Sequence, residues 1–358
     1  MSLERWVRPC IYGMSGYVPG EQPAAGQRVV KLNTNENPHA VPPVVLEALA
    51  VALNEGLRLY PPPDAAPVRE AAARAFGVDA RGVVAGNGSD DLLTMIMRAC
   101  VDPGETVAAP DPTYTLYPTL TRMQGGNYQA VPWLEDGGLP VAALAETGAK
   151  VIFVTRPNAP TGHAVPLAQV AALCRTAPGV VVLDEAYGEF ADDHGLPLLA
   201  EHPNLIVTRS FSKSRSLAGL RIGLGFMSPA LAEQLHKVRD SYNLDRLAQV
   251  AAVAVLEHLP AFQFAIETVK AERIRTTLSL TARGFRVAPS QANFVLAQIP
   301  AGPLSGAEWV ALLKERGILV RHFPADPRLA DKLRITIGTA AEMSALLAAV
   351  DWIQGQAG

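Results

Sequence analysis

The chain has 358 residues, of which 49% are hydrophobic and 18% charged, so it can bury a large core and is expected to form two lobes of a globular protein. Its 31 Lys and Arg nearly balance its 34 Asp and Glu, which leaves a formal net charge of −3. No basic block accompanies this balance, and the composition therefore argues against a nucleic-acid or anionic-membrane partner.

The cysteines and the first residues indicate the compartment. Cys10, Cys100 and Cys174 are odd in number, lie far apart and form no CxxC pair, which favours a reducing cytoplasm. Residues 1–8 lack an apolar signal-peptide core, and no later segment offers the roughly 20 uncharged apolar residues of a membrane span. We therefore expect a cytoplasmic protein that is neither secreted nor inserted in a membrane, and we expect no metal site.

Short apolar runs alternate with helical patterns between residues 83 and 227. The runs read as buried strands of a parallel α/β sheet, at 106–109, 150–155, 180–183, 205–208 and 222–226. Ligands bind at the carboxyl ends of such strands, which is where Asn158, Asp184 and Lys213 fall. The sequence thus predicts that these three side chains meet in one crevice.

Helices and a second lobe complete the prediction. The loop from Gly86 to Ser89 opens a helix with apolar residues at helical spacing, and three more helices are predicted at 229–239, 244–258 and 261–283. Together with the helix at 261–283, the elements after residue 292 are predicted to form a compact α/β lobe of about a hundred residues. Its elements are a strand at 293–297, a helix at 306–316, strands at 318–322 and 333–337, and a terminal helix from residue 340.

The richest chemistry lies between residues 184 and 221. Asp184 and Tyr187 are followed by Ser210-Phe-Ser-Lys213 and then by Arg221. An acid, a phenol, a lysine flanked by hydroxyls and an arginine are the groups that hold pyridoxal 5′-phosphate (PLP) as a Schiff base. Lys213 is accordingly predicted to form the internal aldimine; taken alone it could equally be a surface lysine.

A phosphate-binding set surrounds that lysine in sequence. Ser210, Ser212 and Arg221 offer two hydroxyls and a guanidinium to a dianionic phosphate. Gly88, Ser89 and Asp90 open a predicted helix and would add backbone N–H donors, although the same residues are also typical of a turn with a helix cap.

The remaining candidates would hold the ring and the substrate. Asp184 would pair with the protonated pyridine nitrogen, unless it is simply a helix cap. Tyr187 and Asn158 would donate to the phenolate oxygen of the ring. Tyr114 would lie against the ring face, where a core role is the alternative, and the neighbouring Tyr117 is expected to be structural.

Two arginines interrupt strands of the second lobe. Arg334 lies in an alternating apolar strand, where a buried guanidinium needs an anionic partner such as a substrate carboxylate or phosphate. A solvated arginine on an exposed strand face is the alternative. Arg321 has the same ambiguity with less support.

These motifs resemble those of the histidinol-phosphate aminotransferase family, within the fold-type-I PLP-dependent aminotransferases, and they run nearly end to end. The matching segments are Leu32-Asn-Thr-Asn-Glu-Asn-Pro38, Gly86-Asn-Gly-Ser-Asp90, Pro157-Asn-Ala-Pro-Thr-Gly162, Asp184-Glu-Ala-Tyr-Gly-Glu-Phe190, Leu217-Ala-Gly-Leu-Arg-Ile-Gly223, Ser241-Tyr-Asn243 and Ala292-Asn-Phe294. The resemblance implies a large α/β domain with a mostly parallel seven-stranded sheet flanked by helices and a smaller α/β C-terminal domain. We expect an N-terminal arm at 1–37, the large PLP-binding domain at 38–258 and the small domain at 259–358.

The resemblance also implies an activity and an assembly. The enzyme would exchange an amino group between histidinol phosphate and 2-oxoglutarate in histidine biosynthesis, with Lys213 moving the proton and with Arg334 and Arg321 accepting both substrate anions. Asn158 and Tyr17 would line the substrate pocket. Tyr60 would cross the interface of a homodimer to the neighbouring PLP phosphate, and no nucleic acid or membrane is expected as a partner.

Three departures from the family pattern and three alternatives remain. Ala159 stands where the family usually has a second asparagine, Ser210 where it has threonine, and Ser214-Arg-Ser216 replaces a more apolar stretch that could alter specificity. Transamination of aromatic amino acids uses the same residues, threonine-phosphate decarboxylase has a similar scaffold, and a PLP-sensing regulator would need a DNA-binding domain that the first 30 residues do not provide.

Overall fold

A computed structural model describes residues 3–16, 20–24, 26 and 28–357 and contains two β-sheets covered by helices. The strands are β1 Val30–Leu32, β2 Val83–Asn87, β3 Thr106–Asp111, β4 Asn127–Pro132, β5 Val151–Thr155, β6 Val180–Asp184, β7 Leu205–Ser210, β8 Ile222–Phe226, β9 Arg286–Val287, β10 Phe294–Gln298, β11 Ile318–His322 and β12 Lys332–Thr336. The helices are α1 Pro9–Tyr12, α2 Pro43–Ala52, α3 Ala66–Phe76, α4 Ser89–Cys100, α5 Leu116–Gln124, α6 Val141–Glu146, α7 Leu167–Thr176, α8 Phe211–Ser214, α9 Pro229–Val238, α10 Arg246–Glu257, α11 Gln263–Thr281, α12 Gly306–Glu315 and α13 Ala340–Ala357.

The large sheet has seven strands in the order β2-β8-β7-β6-β5-β3-β4. All pairs are parallel except those of β8, which runs antiparallel to both β2 and β7. The expected mostly parallel seven-stranded sheet is therefore confirmed. Because β5, β6 and β7 are parallel neighbours, their carboxyl ends lie at one edge of the sheet. At this edge Asn158 follows β5, Asp184 ends β6, and Lys213 lies in α8 directly after β7.

The large sheet is apolar on both faces. Along β5, Ile152 and Val154 belong to one buried cluster, whereas Val151 and Phe153 belong to the cluster on the opposite face. This two-sided burial explains the continuous apolar runs in the sequence, since helices cover both faces of a parallel sheet. It also makes the sheet a rigid base for the loops at its edge.

The small sheet has five strands in the order β1-β11-β12-β10-β9. Strand β1 lies within the predicted N-terminal arm and pairs in parallel with β11, Val30 opposite Ile318, while β11, β12 and β10 are antiparallel. The expected division at residues 37 and 258 stays a prediction, with the addition that β1 contributes to the C-terminal sheet.

Helix ends follow local sequence signals. Helix α12 begins with a capping box, in which Ser305 Oγ accepts from the backbone N–H of Glu308 and the Glu308 carboxylate accepts from the backbone N–H of Ser305. Helix α10 begins after Asp245, whose carboxylate accepts from the backbone N–H of Ala248. Both helices start at the residues that these signals favour.

Within the described residues, no single helix combines the length and hydropathy needed to span a membrane. The helical segments Arg246–Glu257 and Leu259–Thr281 reach that threshold only when taken together, and their axes are bent by 91° at the junction.

Candidate active site

A cavity of about 340 Å³ opens where the large sheet faces the small one. Loops after β5, β6 and β7 form its base, and the segment after β1 together with strands β11 and β12 forms the opposite wall. The residues that line it include most of the predicted site: Ser89, Asp90, Tyr114, Asp184, Tyr187, Ser210, Ser212, Lys213, Arg221, Arg321 and Arg334. Residues separated by more than 300 positions in the chain thus converge on one space.

Asp184 ends β6 at the base of the cavity and is only 2% exposed. Its carboxylate accepts hydrogen bonds from Tyr117 Oη at 2.9 Å, from the backbone N–H of Ala186 at 3.1 Å and from Thr208 Oγ1 at 3.3 Å. Burial raises the pKa of Asp184 to about 6, although these hydrogen bonds favour the ionised form and oppose the rise. This arrangement is suited to a carboxylate that pairs with a positively charged group, since such a partner would offset the unfavourable free energy of burying the ionised carboxylate.

Lys213 lies in the one-turn helix α8, directly after β7. Its Nζ donates to the backbone carbonyl of Thr34 at 3.1 Å, and its own carbonyl accepts from Asn37 Nδ2 at 3.0 Å. Burial, followed by the nearby positive charge of Arg334, lowers the pKa of Lys213 to about 8. A substantial neutral fraction at ordinary pH makes this amine a nucleophile.

Glu189 fixes the two residues that follow this lysine. Its carboxylate accepts hydrogen bonds from Ser214 Oγ and, at 2.8 Å, from Arg215 Nη2. The Arg215 side chain is 6% exposed and also lies over the Phe262 ring at 5.3 Å. The unusual segment starting at Ser214 therefore anchors the lysine loop in the core, and Arg215 does not line the cavity.

Hydrogen-bond donors gather on the β7–β8–β2 side of the cavity. Arg221 Nη1 donates to Ser212 Oγ at 3.2 Å, and the Ser210 hydroxyl accepts from the backbone N–H of Ser212. Helix α4 directs its positive N-terminal end, which begins at Ser89, toward the same place. A guanidinium, two hydroxyls and a helix N-terminus form a set suited to a phosphate dianion.

Two glycines allow these groups to approach one another. A Cβ at Gly88, whose φ is +83°, would lie 2.4 Å from Arg221 Nη2. A Cβ at Gly223 would lie 2.5 Å from the carbonyl carbon of Gly88. Side chains at these positions would fill the space on which the phosphate-type site depends.

Asp90 and Tyr114 lie next to this set. The Asp90 carboxylate is 3.6 Å from Arg221 Nη2 and accepts from Tyr114 Oη at 3.3 Å. Tyr114 also meets Tyr117 edge-to-face, with ring centroids 5.6 Å apart. The Asp90 side chain thus orients the arginine, while its backbone belongs to the helix start.

Asn158 does not reach the cavity, contrary to the role expected for it. The residue is fully buried, and its amide is saturated by neighbours. Nδ2 donates to the Pro112 carbonyl at 3.0 Å and to Thr161 Oγ1 at 2.8 Å, and Oδ1 accepts from Thr113 Oγ1 at 2.8 Å. The next residue, Ala159, lines the cavity instead.

The amide of Asn158 belongs to a buried network behind the cavity wall. Thr113 Oγ1 is 3.2 Å from Thr155 Oγ1, which is 2.6 Å from Tyr117 Oη, and Tyr117 donates to Asp184. Tyr117 is fully buried and also stacks on the Phe153 ring. The sequence interpretation assigned Tyr117 a structural role and missed its contact with Asp184, because only the fold brings positions 117 and 184 together.

Tyr187 lines the cavity close to the segment after β1. Its Oη accepts from Asn35 Nδ2 at 2.9 Å. Asn35 is itself held by Thr336, whose Oγ1 accepts from the backbone N–H of Asn35 and donates to its Oδ1, both at 3.0 Å. The resemblance included Asn35 only as part of a motif, and its contact with Tyr187 now gives it a place in the site.

The two arginines of the small sheet face the cavity. Arg334 Nη2 donates to the Asn33 carbonyl at 3.1 Å, and its guanidinium lies 5.3 Å from the Phe294 ring and 5.5 Å from the Phe323 ring. Arg321 also lies 5.5 Å from the Phe323 ring. Two guanidiniums stacked on aromatic rings at one wall of the cavity are suited to bind an anion.

Tyr60 does not line the cavity of its own chain. Tyr60 is 78% exposed, stacks on Tyr242 with centroids 4.3 Å apart, and is not among the described residues that line this chain's cavity. Tyr17 lies outside the described residues.

The residues of the cavity fit pyridoxal 5′-phosphate. Lys213 supplies an amine of lowered pKa, Asp184 a buried carboxylate, and Arg221 with its serines a phosphate-binding set. The absence of a side chain at Gly88 leaves room for the anion beside Arg221. Within the parts of the chain that the structure describes, no group of three or more His, Cys, Asp or Glu side chains is arranged to hold a metal ion.

Comparison with known proteins agrees with this geometry. The family described as "Aminotransferase class I and II" matches residues 27–350. A histidinol-phosphate aminotransferase of Synechocystis sp. is 45% identical over 98% of this chain and 99% of its own, and histidinol-phosphate aminotransferase 1 of Trichormus variabilis is 43% identical over 97% and 99%. The crystal structure of the Sinorhizobium meliloti histidinol-phosphate aminotransferase in complex with pyridoxal-5′-phosphate superimposes with a TM-score of 0.87 at 27% identity, covering 98% of each chain.

Proposed function

Because the chain belongs to the histidinol-phosphate aminotransferase family, within the class I and II aminotransferases, we propose that it exchanges an amino group between histidinol phosphate and 2-oxoglutarate with PLP as cofactor. The observation that carries this proposal is the meeting of Lys213, Asp184 and Arg221 in one cavity that also contains Arg334. Identity of 43–45% over nearly the whole of both relatives supports the substrate assignment.

Each end of the cofactor has a partner in this proposal. Arg221, Ser210, Ser212 and the backbone at Ser89 and Asp90 would bind its phosphate, and Asp184 would hold the ring nitrogen in its protonated form. When bound, PLP supplies an electron sink for the carbon that loses its proton. Gly88 would act through its small size, and Tyr114 would cover one face of the ring.

The proton that moves in the reaction is assigned to Lys213. Its Nζ, once released from the cofactor, can take a proton from the substrate Cα and deliver it to the cofactor, since an amine with a pKa of about 8 can both accept and give a proton near neutral pH. Asn37 donates to the backbone carbonyl of Lys213, and Glu189 binds the hydroxyl of the next residue, Ser214. Both contacts hold the backbone from which the amine extends. Asp184 keeps its charge opposite the ring nitrogen throughout.

Substrate anions would be bound by the arginine pair. Histidinol phosphate carries a phosphate where glutamate carries its α-carboxylate, and Arg334 with Arg321 can accept either group through fork-shaped donors. Arg334 is held by Asn33, which fixes one end of its guanidinium. Tyr17 would complete the substrate pocket.

We further propose a cytoplasmic homodimer in which Tyr60 reaches the phosphate of the neighbouring subunit. The exposed position of Tyr60 supports this, together with exposed apolar side chains nearby, Val51 at 77%, Leu53 at 61% and Leu59 at 52%. An apolar groove of about 360 Å³, which includes Pro61 and Pro62, continues the same surface. The division into an arm, a PLP-binding domain and a small domain at residues 37 and 258 belongs to the same proposal.

The deciding experiment follows one half of the reaction. Purified protein loaded with PLP is mixed with histidinol phosphate, phenylalanine, tyrosine, glutamate or threonine phosphate. Conversion of the cofactor to its amine form is followed by absorbance, and carbon dioxide release is measured with threonine phosphate. We expect histidinol phosphate and glutamate to react. Faster reaction with phenylalanine or tyrosine would instead identify an aromatic amino-acid aminotransferase, and release of carbon dioxide from threonine phosphate would identify a decarboxylase.

A further inference from the structure

The loop after β5 presents a methyl group to the cavity. Ala159 is 5% exposed and lines the cavity with Pro160, whereas Asn158 is 0% exposed and points away from it. Consecutive residues in this loop therefore face opposite directions. The amide that the sequence offers at position 158 lies on the wrong side of the chain to reach a ligand.

Asn158 is not available to turn inward. Both of its amide hydrogens and its oxygen are engaged, with Pro112, Thr161 and Thr113. The contact continues from Thr161 Oγ1 to His163 Nδ1 at 2.7 Å. Rotation of this side chain would leave several buried polar groups without partners, which is strongly unfavourable.

Strand order determines which part of the cofactor this loop would meet. The phosphate-binding groups follow β7 or lie at β8 and β2, Asp184 ends the central β6, and Ala159 follows β5 on the far side of β6. In PLP the phosphate ester and the 3-hydroxyl group flank the carbon that bonds to lysine. A ring anchored by its phosphate on the β7 side therefore turns its 3-oxygen toward the loop that contains Ala159.

We propose that Ala159 leaves the cavity wall that faces the 3-oxygen of the cofactor without a hydrogen-bond donor at position 159. Tyr187 is then the residue that donates a hydrogen bond to this oxygen, with no second donor from an amide at position 159. This inference rests on the proposed PLP-dependent function. The hydroxyls of Thr113 and Tyr117 already donate to Asn158 and Asp184 and do not replace the missing donor.

The chemical consequence concerns the nitrogen of Lys213 in its bond to the cofactor. A donor to the 3-oxygen stabilises the negative charge of that oxygen, most strongly after the nitrogen has lost its proton. With one donor fewer, the nitrogen keeps its proton to a higher pH. A hydrogen bond to a charged group corresponds to a shift of about one pH unit.

The test introduces a hydrogen-bond donor at position 159 and follows the absorbance of the bound cofactor as a function of pH. The absorbance reports the protonation of the Lys213 nitrogen bonded to the cofactor and requires no turnover. In Ala159→Asn the midpoint should fall by about one pH unit relative to the unchanged chain. Ala159→Leu, with the same number of side-chain heavy atoms as asparagine but no donor, should keep the midpoint of the unchanged chain. Ala159→Ser introduces a smaller donor and replaces Ala159→Asn in the test if that variant does not fold. It should move the midpoint in the same direction as Ala159→Asn.

Two results separate the inference from the proposed function. If the donor variants bind PLP and titrate like the unchanged chain, or if Ala159→Leu shifts as much as Ala159→Asn, the inference about Ala159 is wrong while the aminotransferase assignment stands. If the unchanged chain does not bind PLP, both are wrong. As an independent check, Tyr187→Phe should raise the midpoint more in the unchanged chain than in Ala159→Asn.

Discussion

Arg321 and Arg334 occupy directly opposite positions on the antiparallel strands β11 and β12. Like charges at opposite positions of a sheet are destabilising, so such a pair is retained at a cost unless an anion lies between the two groups. Both guanidiniums line the cavity, and both lie over the ring of Phe323. The pairing supports the proposal that both guanidiniums bind the substrate anion.

This pairing predicts the effect of removing Arg334. Arg334→Gln should weaken binding of histidinol phosphate and of glutamate by roughly 10- to 100-fold, because a hydrogen bond to a charged group contributes about 1.5–3 kcal/mol. Half-reaction kinetics with each donor would measure the change. Arg81→Gln is the control, since Arg81 is an exposed arginine that pairs with Asp79 away from the cavity. Equal kinetics in Arg334→Gln and the unchanged chain would exclude this arginine from anion binding.

The lowered pKa of Lys213 predicts how its reactivity depends on pH. In protein freed of PLP, reductive methylation of Lys213 should have a midpoint near pH 8, well below the ordinary lysine value of 10.5. Arg334→Gln should move that midpoint upward, because the nearby positive charge no longer opposes protonation. Mass spectrometry of the peptide containing Lys213 gives the extent of labelling. A midpoint above pH 10 would contradict the buried position of the amine.

The same shift affects stability with a definite sign. The folded protein releases the Lys213 proton at about pH 8 and the unfolded chain at about 10.5. The unfolded state therefore binds more protons in this window, and this residue's contribution to the free energy of unfolding should rise as pH increases from 8 to 10.5. Comparison of urea unfolding of the PLP-free protein with that of Lys213→Met isolates the contribution.

Tyr117 is predicted to control the ionisation of Asp184. Tyr117→Phe removes the hydrogen bond to the carboxylate, so the pKa of Asp184 should rise above its value of about 6, and the free energy of unfolding should fall by about 1 kcal/mol. The pKa of Asp184 already exceeds its ordinary value of 3.8, so the stability it contributes at low pH is lost between about pH 4 and 6. In Tyr117→Phe this loss should extend to higher pH.

Urea unfolding of PLP-free protein at a series of pH values would measure this extension. Tyr12→Phe is the matched control, because that tyrosine is 51% exposed and lies outside the cavity. Identical pH profiles for Tyr117→Phe and Tyr12→Phe would show that the hydrogen bond has no influence on Asp184.

The proposed role of Tyr60 can be tested with mixed dimers. Tyr60→Ala and Lys213→Ala subunits should each be impaired as homodimers. A mixed dimer should recover one intact site if Tyr60 acts across the interface, because the subunit that keeps Lys213 receives Tyr60 from its partner. About half of the normal activity per dimer is expected. If Tyr60 acts within its own subunit, the mixed dimer has no intact site and should stay as impaired as the Tyr60→Ala homodimer.

The sequence predicted the large sheet well because its strands are apolar on both faces. Val151–Thr155 and Leu205–Ser210 are buried at every position, and such runs stand out in a sequence. Strand β1 was missed because it has only three residues, the middle one a lysine, and it is defined by its pairing with β11. Strand β4 was also missed, since four of its six residues are exposed or polar at this sheet edge.

The candidate site was predicted in outline and missed in detail for a different reason. Motifs identify the residues that follow a strand, but they do not tell which of two adjacent residues faces the cavity. Asn158 and Ala159 illustrate this limit, because the backbone conformation of the loop decides between them. Tyr117 was assigned to the core, and the core position is also what brings its hydroxyl to Asp184.

The pairing of β1 with β11 has a consequence for the order of assembly during synthesis. Thr34, Asn35 and Asn37 follow β1 directly and contact Lys213 or Tyr187, yet β1 joins the sheet only when residues 318–320 are present. A ribosome must therefore deliver nearly the entire polypeptide before this early segment can close over the lysine. Nascent chains halted before residue 318 should hold PLP poorly even though every residue proposed to bind its phosphate has already emerged.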